Sequence, residues 1–123
     1  MPLNVLVFEG DPAFAAALRA GLEAKGCAVQ IVEDGNAGLM LASQLKPDLI
    51  LLAIELPRMN GFSVCNKLKK DMVFREVPLV ILSSESSEET FEQHRKLRTR
   101  AEEYVHKPIA VDSLIRRIET FVD

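Results

Sequence analysis

The chain has 123 residues, 48% of them hydrophobic and 27% charged; one packed core fits that length and two do not. Disordered and fibrous classes are excluded by this composition. Fifteen Lys and Arg against eighteen Asp and Glu leave a net charge of −3, so bulk charge gives no reason to expect nucleic acid as a partner.

Asn4 to Glu9 is short, apolar and β-branched, and Asp11-Pro12 follows it as a helix N-cap and first turn. A strand therefore hands over to a helix. Phe14, Leu18 and Leu22 recur at four-residue spacing, and Lys25-Gly26 supplies a cationic last turn and a glycine stop. Cys27, Val29 and Ile31 alternate as a second strand, Glu33-Asp34-Gly35 punctuates, and a helix with Leu41, Ala42 and Leu45 runs to Lys46-Pro47, where proline forbids continuation.

Leu49 to Ile54 is apolar at every position, as a central parallel strand covered on both faces must be. The turn Pro57-Arg58-Met59-Asn60-Gly61 leads into a third helix with Phe62, Cys65 and Leu68, and with Lys67, Lys69 and Lys70 toward its end. Pro78 opens a fourth strand, Leu79 to Leu82. Ser83, Ser84, Ser86 and Ser87 then precede Glu88 and Glu89 at a serine-rich helix entry. Glu103 to His106 is a fifth strand broken by Lys107-Pro108, and Leu114, Ile115, Ile118 and Val122 mark a final amphipathic helix.

Five strands alternating with five helices across short connections predict a doubly wound α/β fold with a five-stranded parallel sheet, formed by residues 1–123 as one domain. Ligands and chemistry in such sheets gather at the carboxyl ends of the central strands. Glu9, Ala53, Ser83 and Lys107 are accordingly expected near one another.

No apolar run approaches the roughly 18 to 20 residues of a membrane-spanning helix. The N-terminus reads Met-Pro-Leu-Asn and soon meets Glu9, without the basic and long apolar regions of a signal peptide. A cytoplasmic protein with no membrane insertion is the expectation. Cys27 and Cys65 form no Cys-x-x-Cys and fall in apolar patterns, which reads as two reduced core thiols. His94 and His106 show no metal-ligand spacing, so no metal or other cofactor is expected.

With the strand ends placed, the chain resembles the receiver domain of two-component response regulators, the CheY-like family, over essentially its whole length. The residues that carry this are Glu9-Gly10-Asp11-Pro12, Pro47-Asp48-Leu49-Ile50-Leu51-Leu52 leading to Leu56-Pro57-Arg58-Met59-Asn60-Gly61-Phe62, Pro78 to Ser83, and Tyr104-Val105-His106-Lys107-Pro108. The resemblance implies the strand order 2-1-3-4-5 and a switch worked by phosphorylation of an aspartate at the end of the third strand. Ala53 occupies that place. It also implies a magnesium-binding acidic pair on Glu9 and Gly10, of which one carboxylate is absent, a switch hydroxyl on Ser83, a switch aromatic on Tyr104 and a phosphoryl-binding lysine on Lys107.

A methyl group cannot accept a phosphoryl, and a hard cation needs several oxygens where this site has lost two. Asp48 begins its strand, at the opposite edge of the sheet, and Glu55 lies past the strand with a longer stem, so neither is a convincing substitute acceptor. The reading is a degenerate receiver, not an enzyme, that acts independently of phosphorylation as a protein-interaction module in bacterial signalling. Two alternatives stay open: phosphorylation at a non-standard carboxylate such as Glu55, and a small-ligand or metal sensor on Glu9, Asp11 and Glu55.

Glu9 reads as an ion-pair partner of Lys107 or a residual metal ligand, and Asp11 as a helix cap. Ser83 reads as vestigial, and Tyr104 either as a partner-contact aromatic or as a half-buried residue with its hydroxyl in water. The basic run His94, Arg95, Lys96, Arg98 and Arg100 reads as a solvated helix end or as a docking surface for an acidic protein partner, on the face of the fourth helix, fifth strand and fifth helix. Further phrases, Phe91-Glu92-Gln93-His94-Arg95-Lys96-Leu97, Ala101-Glu102-Glu103-Tyr104-Val105 and Lys67-Leu68-Lys69-Lys70-Asp71, are similar to the pseudo-receivers of gliding-motility proteins. That similarity implies a motility or polarity role. Further domains beyond Asp123 are left open.

Overall fold

The structure is a computed structural model and describes residues 2–120 and 122. Strands and helices alternate as β1 (Asn4–Phe8), α1 (Pro12–Glu23), β2 (Ala28–Val32), α2 (Gly35–Leu45), β3 (Leu49–Ala53), α3 (Gly61–Lys70), β4 (Leu79–Ser83), α4 (Glu88–Arg95), β5 (Glu103–His106) and α5 (Val111–Glu119). The strands form one parallel sheet in the order β2-β1-β3-β4-β5, which is the CheY-like arrangement.

Successive side chains on a strand point to opposite faces, and here both faces are apolar. Val5, Val7, Leu49, Leu51, Val80, Leu82 and Val105 pack with Leu18 and Leu22 of α1 and Leu114, Ile115 and Ile118 of α5. Leu6, Phe8, Ile50, Leu52, Leu79 and Ile81 pack on the other side with Ala42 of α2, Val64, Cys65 and Leu68 of α3, and Phe91 of α4. The sheet is thus sandwiched, and the unbroken apolar runs follow from having no solvent face.

Boundaries differ from the sequence reading in two places with a physical cause. α1 stops at Glu23 rather than at Lys25, and Gly26 closes the turn with φ +89°, a conformation glycine adopts without steric cost. Val122 lies beyond the end of α5 yet is buried against the first core, its N–H bonded to the Ile118 carbonyl at 3.2 Å. It keeps the four-residue spacing from Ile118 and packs on the same core as Leu114, Ile115 and Ile118. Among the described residues no helix is long and apolar enough to cross a membrane.

Register brings the chemistry-bearing ends together. Phe8 pairs with Leu52, Ala53 with Leu82, and Ser83 with His106. The residues that follow, Glu9, Ile54, Ser84 and Lys107, therefore emerge along one edge of the sheet.

Candidate functional site

Glu9 leaves β1 only 3% exposed, with both carboxylate oxygens engaged. Oε1 accepts from Lys107 Nζ at 2.8 Å, and Oε2 accepts from the Asp11 backbone N–H at 3.0 Å. Lys107 is delivered there by the ladder, its own N–H bonded to the Ser83 carbonyl at 2.8 Å. The ammonium also lies 5.0 Å from the Phe14 ring centroid, where the ring face attracts a cation. Asp11 caps α1, accepting from the N–H groups of Ala13 at 3.0 Å and Phe14 at 3.4 Å.

Ala53 ends β3 fully buried, and the next residue continues the ladder through Ile54 N–H to the Leu82 carbonyl at 2.9 Å. Its methyl group offers no oxygen to bind a cation or attack phosphorus. Gly10 supplies none either, although a Cβ built there would meet only Pro57 Cδ at 4.0 Å. Packing does not forbid a side chain at that position. The residues present do not fit the magnesium ion that the family resemblance implies: Glu9 spends its oxygens on Lys107 and Asp11, and neither Gly10 nor Ala53 has a side-chain donor. Among the described residues, no group of three or more His, Cys, Asp and Glu could hold a metal ion.

The vacated chemistry is not left empty of carboxylate. Glu55, two residues past Ala53, accepts from Ser83 Oγ at 2.6 Å through Oε2, and from the Ser84 N–H at 3.0 Å and Ser84 Oγ at 3.2 Å through Oε1. Burial pushes its carboxyl pKa up, but the bonds from Ser83 and Ser84 and the field of Lys107 outweigh that and leave it below the ordinary value. The sequence reading sent this side chain elsewhere. Its stem is long enough to reach back over the strand end, which no local pattern reveals. Asp48, by contrast, lies at the opposite edge as expected, accepting from the Asn4 N–H at 2.8 Å.

Ser83 also organises its own loop. Its Oγ accepts from the N–H groups of Ser86 at 2.9 Å and Glu85 at 3.3 Å, and lies 2.8 Å from Ser86 Oγ. Ser87 then caps α4, accepting from the Thr90 N–H at 3.1 Å. The serine run is a sequence of local bonds that turns β4 into α4.

The basic run does not form a single solvated stripe. His94 is buried at 6% exposure and Tyr104 at 4%. The Tyr104 hydroxyl accepts from the Ala101 N–H at 3.0 Å and bonds His94 Nδ1, while His94 Nε2 lies 2.8 Å from Asn66 Oδ1. Neither the solvent-facing hydroxyl nor the outward aromatic expected of Tyr104 is found, because this polar chain inside the second core satisfies the ring's oxygen. Burial raises the Tyr104 pKa to about 12 and lowers that of His94.

Arg95 pairs with Glu88 at 3.2 Å and with Glu92, and its guanidinium lies 4.8 Å from the Tyr104 centroid. Lys96 and Arg98 are exposed. Asn66 and Thr99, whose Oγ1 donates to Asn66 Oδ1 at 2.6 Å, escaped the sequence reading. The available signal was Asn66 itself, a polar residue one helical turn after Phe62. Cys27 and Cys65 are both buried and are not joined in a disulfide. Burial raises the Cys65 pKa to about 12, which keeps it protonated and unreactive.

The response regulator receiver domain family matches residues 5–119. A DNA-binding response regulator MtrA of Mycolicibacterium smegmatis is 34% identical over 118 residues, covering 96% of this chain and 50% of the relative. The DNA-binding dual master transcriptional regulator RpaA of Synechocystis is 31% identical over 119 residues, covering 97% and 48%. This chain spans about half the length of these curated relatives. Among solved structures, the BeF3-activated N-terminal receiver domain of Klebsiella pneumoniae RstA superposes with a TM-score of 0.83 at 26% identity, covering 95% of this chain and 96% of that one. The chemotaxis response regulator CheY4 of Vibrio cholerae shares the fold with a TM-score of 0.89 at 20% identity, covering 99% and 100%.

Proposed function

The chain belongs to the response regulator receiver domain family, and we propose that it is a pseudo-receiver that signals without being phosphorylated. The observation that supports this is Ala53, a buried methyl group at the strand end beside a loop that carries Gly10 and not a second carboxylate. Acyl phosphate formation needs a carboxylate nucleophile and a cation to neutralise the phosphoryl oxygens. Lys107 and Ser83, the two groups such a phosphoryl would use, are engaged by Glu9 and Glu55.

On this reading residues 1–123 are one receiver domain that catalyses no reaction, needs no cofactor and works in the cytoplasm by binding a protein. Output through a partner requires differential affinity for one state of the domain. With no phosphoryl to provide the bias, recognition is constitutive or set by the partner. The face of α4, β5 and α5, including Arg95, Lys96 and Arg98, is the docking surface, and an acidic protein surface fits it. DNA contact, which the longer relatives' names state of them, is no part of this reading. The phrases around Phe91 to Leu97 and Ala101 to Val105 resemble the pseudo-receiver of the gliding-motility protein FrzS, which supports a role in motility or polarity.

Incubation with acetyl phosphate and magnesium, followed by intact-mass measurement, tests the reading. The mass is expected to stay unchanged. A phosphoryl adduct on the native chain, at Glu55 or any other carboxylate, would overturn it.

A further inference from the structure

Lys69, in the last turn of α3, is 8% exposed, and its ammonium is fully used. It donates to the carbonyls of Arg75 at 3.2 Å and Val77 at 2.9 Å, and to Glu102 Oε1 at 2.7 Å. The same Glu102 oxygen accepts from the Leu79 N–H at 2.7 Å. One buried ammonium therefore ties together the end of α3, the 71–77 turn and the residue before β5, at the amino edge of the sheet and away from Glu9 and Glu55. The turn after α4 is pinned as well. Thr99 Oγ1 donates to Asn66 Oδ1 at 2.6 Å, and the Thr99 carbonyl accepts from the Cys65 thiol at 3.3 Å.

Between these two anchored turns lies an open cavity of about 570 Å³, whose walls carry Lys70, Arg75, Arg98 and Arg100 in addition to Lys69. The four are exposed, and among the described residues none of them is paired with a carboxylate, whereas Arg19, Arg95, Arg117 and Lys107 each are. Arg100 donates one N–H to the Leu97 carbonyl at 3.3 Å, which leaves most of its five donors for a ligand. Two carboxylates share the walls, but Glu102 is spent on Lys69 and Glu76 bonds none of the four. Lys70 complements the dipole at the end of α3; Arg75, Arg98 and Arg100 lie outside the helices, so the dipole does not account for them. A cleft lined by one sign of charge concentrates its field, here on a chain whose net charge is −3.

We infer that this cavity binds a small oligophosphate, a ligand with two or more linked phosphoryl groups, held between the turn after α3 and the turn after α4. The guanidinium fork matches a pair of phosphate oxygens, and three such forks carried on two turns call for more than one phosphoryl group to meet them. Among the described residues lining the cavity there is no aromatic ring, so a nucleobase would find no stacking partner and the phosphates are what is read. The backbone that carries the arginines is already fixed by Lys69 and Thr99, which lowers the ordering cost of binding. The inference goes beyond the pseudo-receiver reading and does not rest on it.

The isotope-labelled chain, in magnesium-free buffer, is titrated with sodium pyrophosphate, sodium tripolyphosphate and ADP, against sodium sulfate at matched ionic strength, by calorimetry and by NMR of the backbone amides. Pyrophosphate and tripolyphosphate are expected to bind saturably with a Kd of roughly 0.1 mM, and sulfate about tenfold more weakly. The largest amide shifts are expected at Arg75, Thr99 and Arg100. Arg75→Gln combined with Arg100→Gln is expected to weaken pyrophosphate binding by about tenfold or more, and Lys67→Gln combined with Arg116→Gln, which removes as much charge from exposed positions outside the cavity, by less than about twofold.

ADP is expected to match pyrophosphate; tighter binding of ADP with the same amides shifted would support the same site and name a nucleotide as the source of the oligophosphate. Affinity for pyrophosphate and tripolyphosphate no better than for sulfate would overturn the inference. Equal weakening by the two double variants would do so too, since it would mean attraction by diffuse charge. Should the arginine variant fail to fold, the amide map of the wild type decides: shifts centred on the two turns support the site, and shifts centred elsewhere overturn it.

Discussion

His94 sits where burial favours the neutral form of its ring. The Ala101 N–H donates to the Tyr104 oxygen, so the Tyr104 proton points at His94 Nδ1, and the remaining ring proton on Nε2 is given to Asn66 Oδ1. A second proton on Nδ1 would confront the phenol's own proton. Burial already lowers the His94 pKa, and Tyr104, held near 12, offers no negative charge in compensation. The unfolded chain binds its proton near the ordinary value while the folded chain resists until lower pH. Unfolding therefore takes up protons in that interval, and stability falls as pH drops below the ordinary histidine value, being complete above it. Urea midpoints measured from roughly pH 7.5 to 5.5 are expected to fall for the wild type and to fall less for His94→Gln. Parallel curves for the two proteins would refute this.

The strand end and the helix that follows it are joined more tightly than either element requires alone. The Gly61 N–H donates to the Ile54 carbonyl at 2.9 Å, and a Cβ on Gly61 would stand 2.3 Å from the Ala53 carbonyl oxygen and 2.7 Å from Ile54 Cα. Backbone cannot swing aside as a side chain does. Gly61→Ala is expected to cost about 2 kcal/mol or more through overpacking, whereas Gly10→Ala, whose Cβ meets only Pro57 Cδ at 4.0 Å, is expected to stay within about 0.5 kcal/mol of wild type. Denaturant midpoints of the two variants check it, and equal losses would contradict the packing argument.

These contacts also mark how far sequence reading reaches. Asn60-Gly61 is legible as a turn because local conformation demands it, and Leu49 to Ile54 as a central strand because two covering layers demand it. The approach of Gly61 to Ala53 is tertiary and leaves no local trace. Glu9 with Lys107 was legible because both follow strand ends on the carboxyl edge of one parallel sheet, although β3 and β4 lie between their strands and the long lysine stem has to span them. The reach of Glu55 to Ser83, the inward turn of Tyr104, and Lys69, buried among Glu102 and the carbonyls of Arg75 and Val77, depend on side-chain torsions and loop paths that a linear pattern does not encode.

Across the whole molecule, the two cores lock α1 and α5 to one side of the sheet and α2, α3 and α4 to the other, while at the edge of the strand ends Lys107 is taken up by Glu9 and the Glu55 carboxylate by Ser83 and Ser84. What remains free to meet a partner is charge away from that edge. Lys96 and Arg98 are exposed on a chain of net charge −3, with Leu97 between them 45% exposed. A basic rim around an apolar anchor attracts an acidic surface at long range and holds it at short range. Arg95 is a poor probe of that surface, because its reversal would also break the pairs with Glu88 and Glu92. Lys96→Glu with Arg98→Glu removes only exposed charge, and surface changes of this kind leave stability within about 0.5 kcal/mol. The double variant is expected to keep the wild-type unfolding midpoint and to lose capture of the protein that the wild type retains. Wild-type capture should itself weaken as salt rises, because exposed charges are screened beyond about 10 Å at 0.1 M ionic strength. Undiminished capture by the double variant, at low and high salt alike, would move the docking surface off this end of α4.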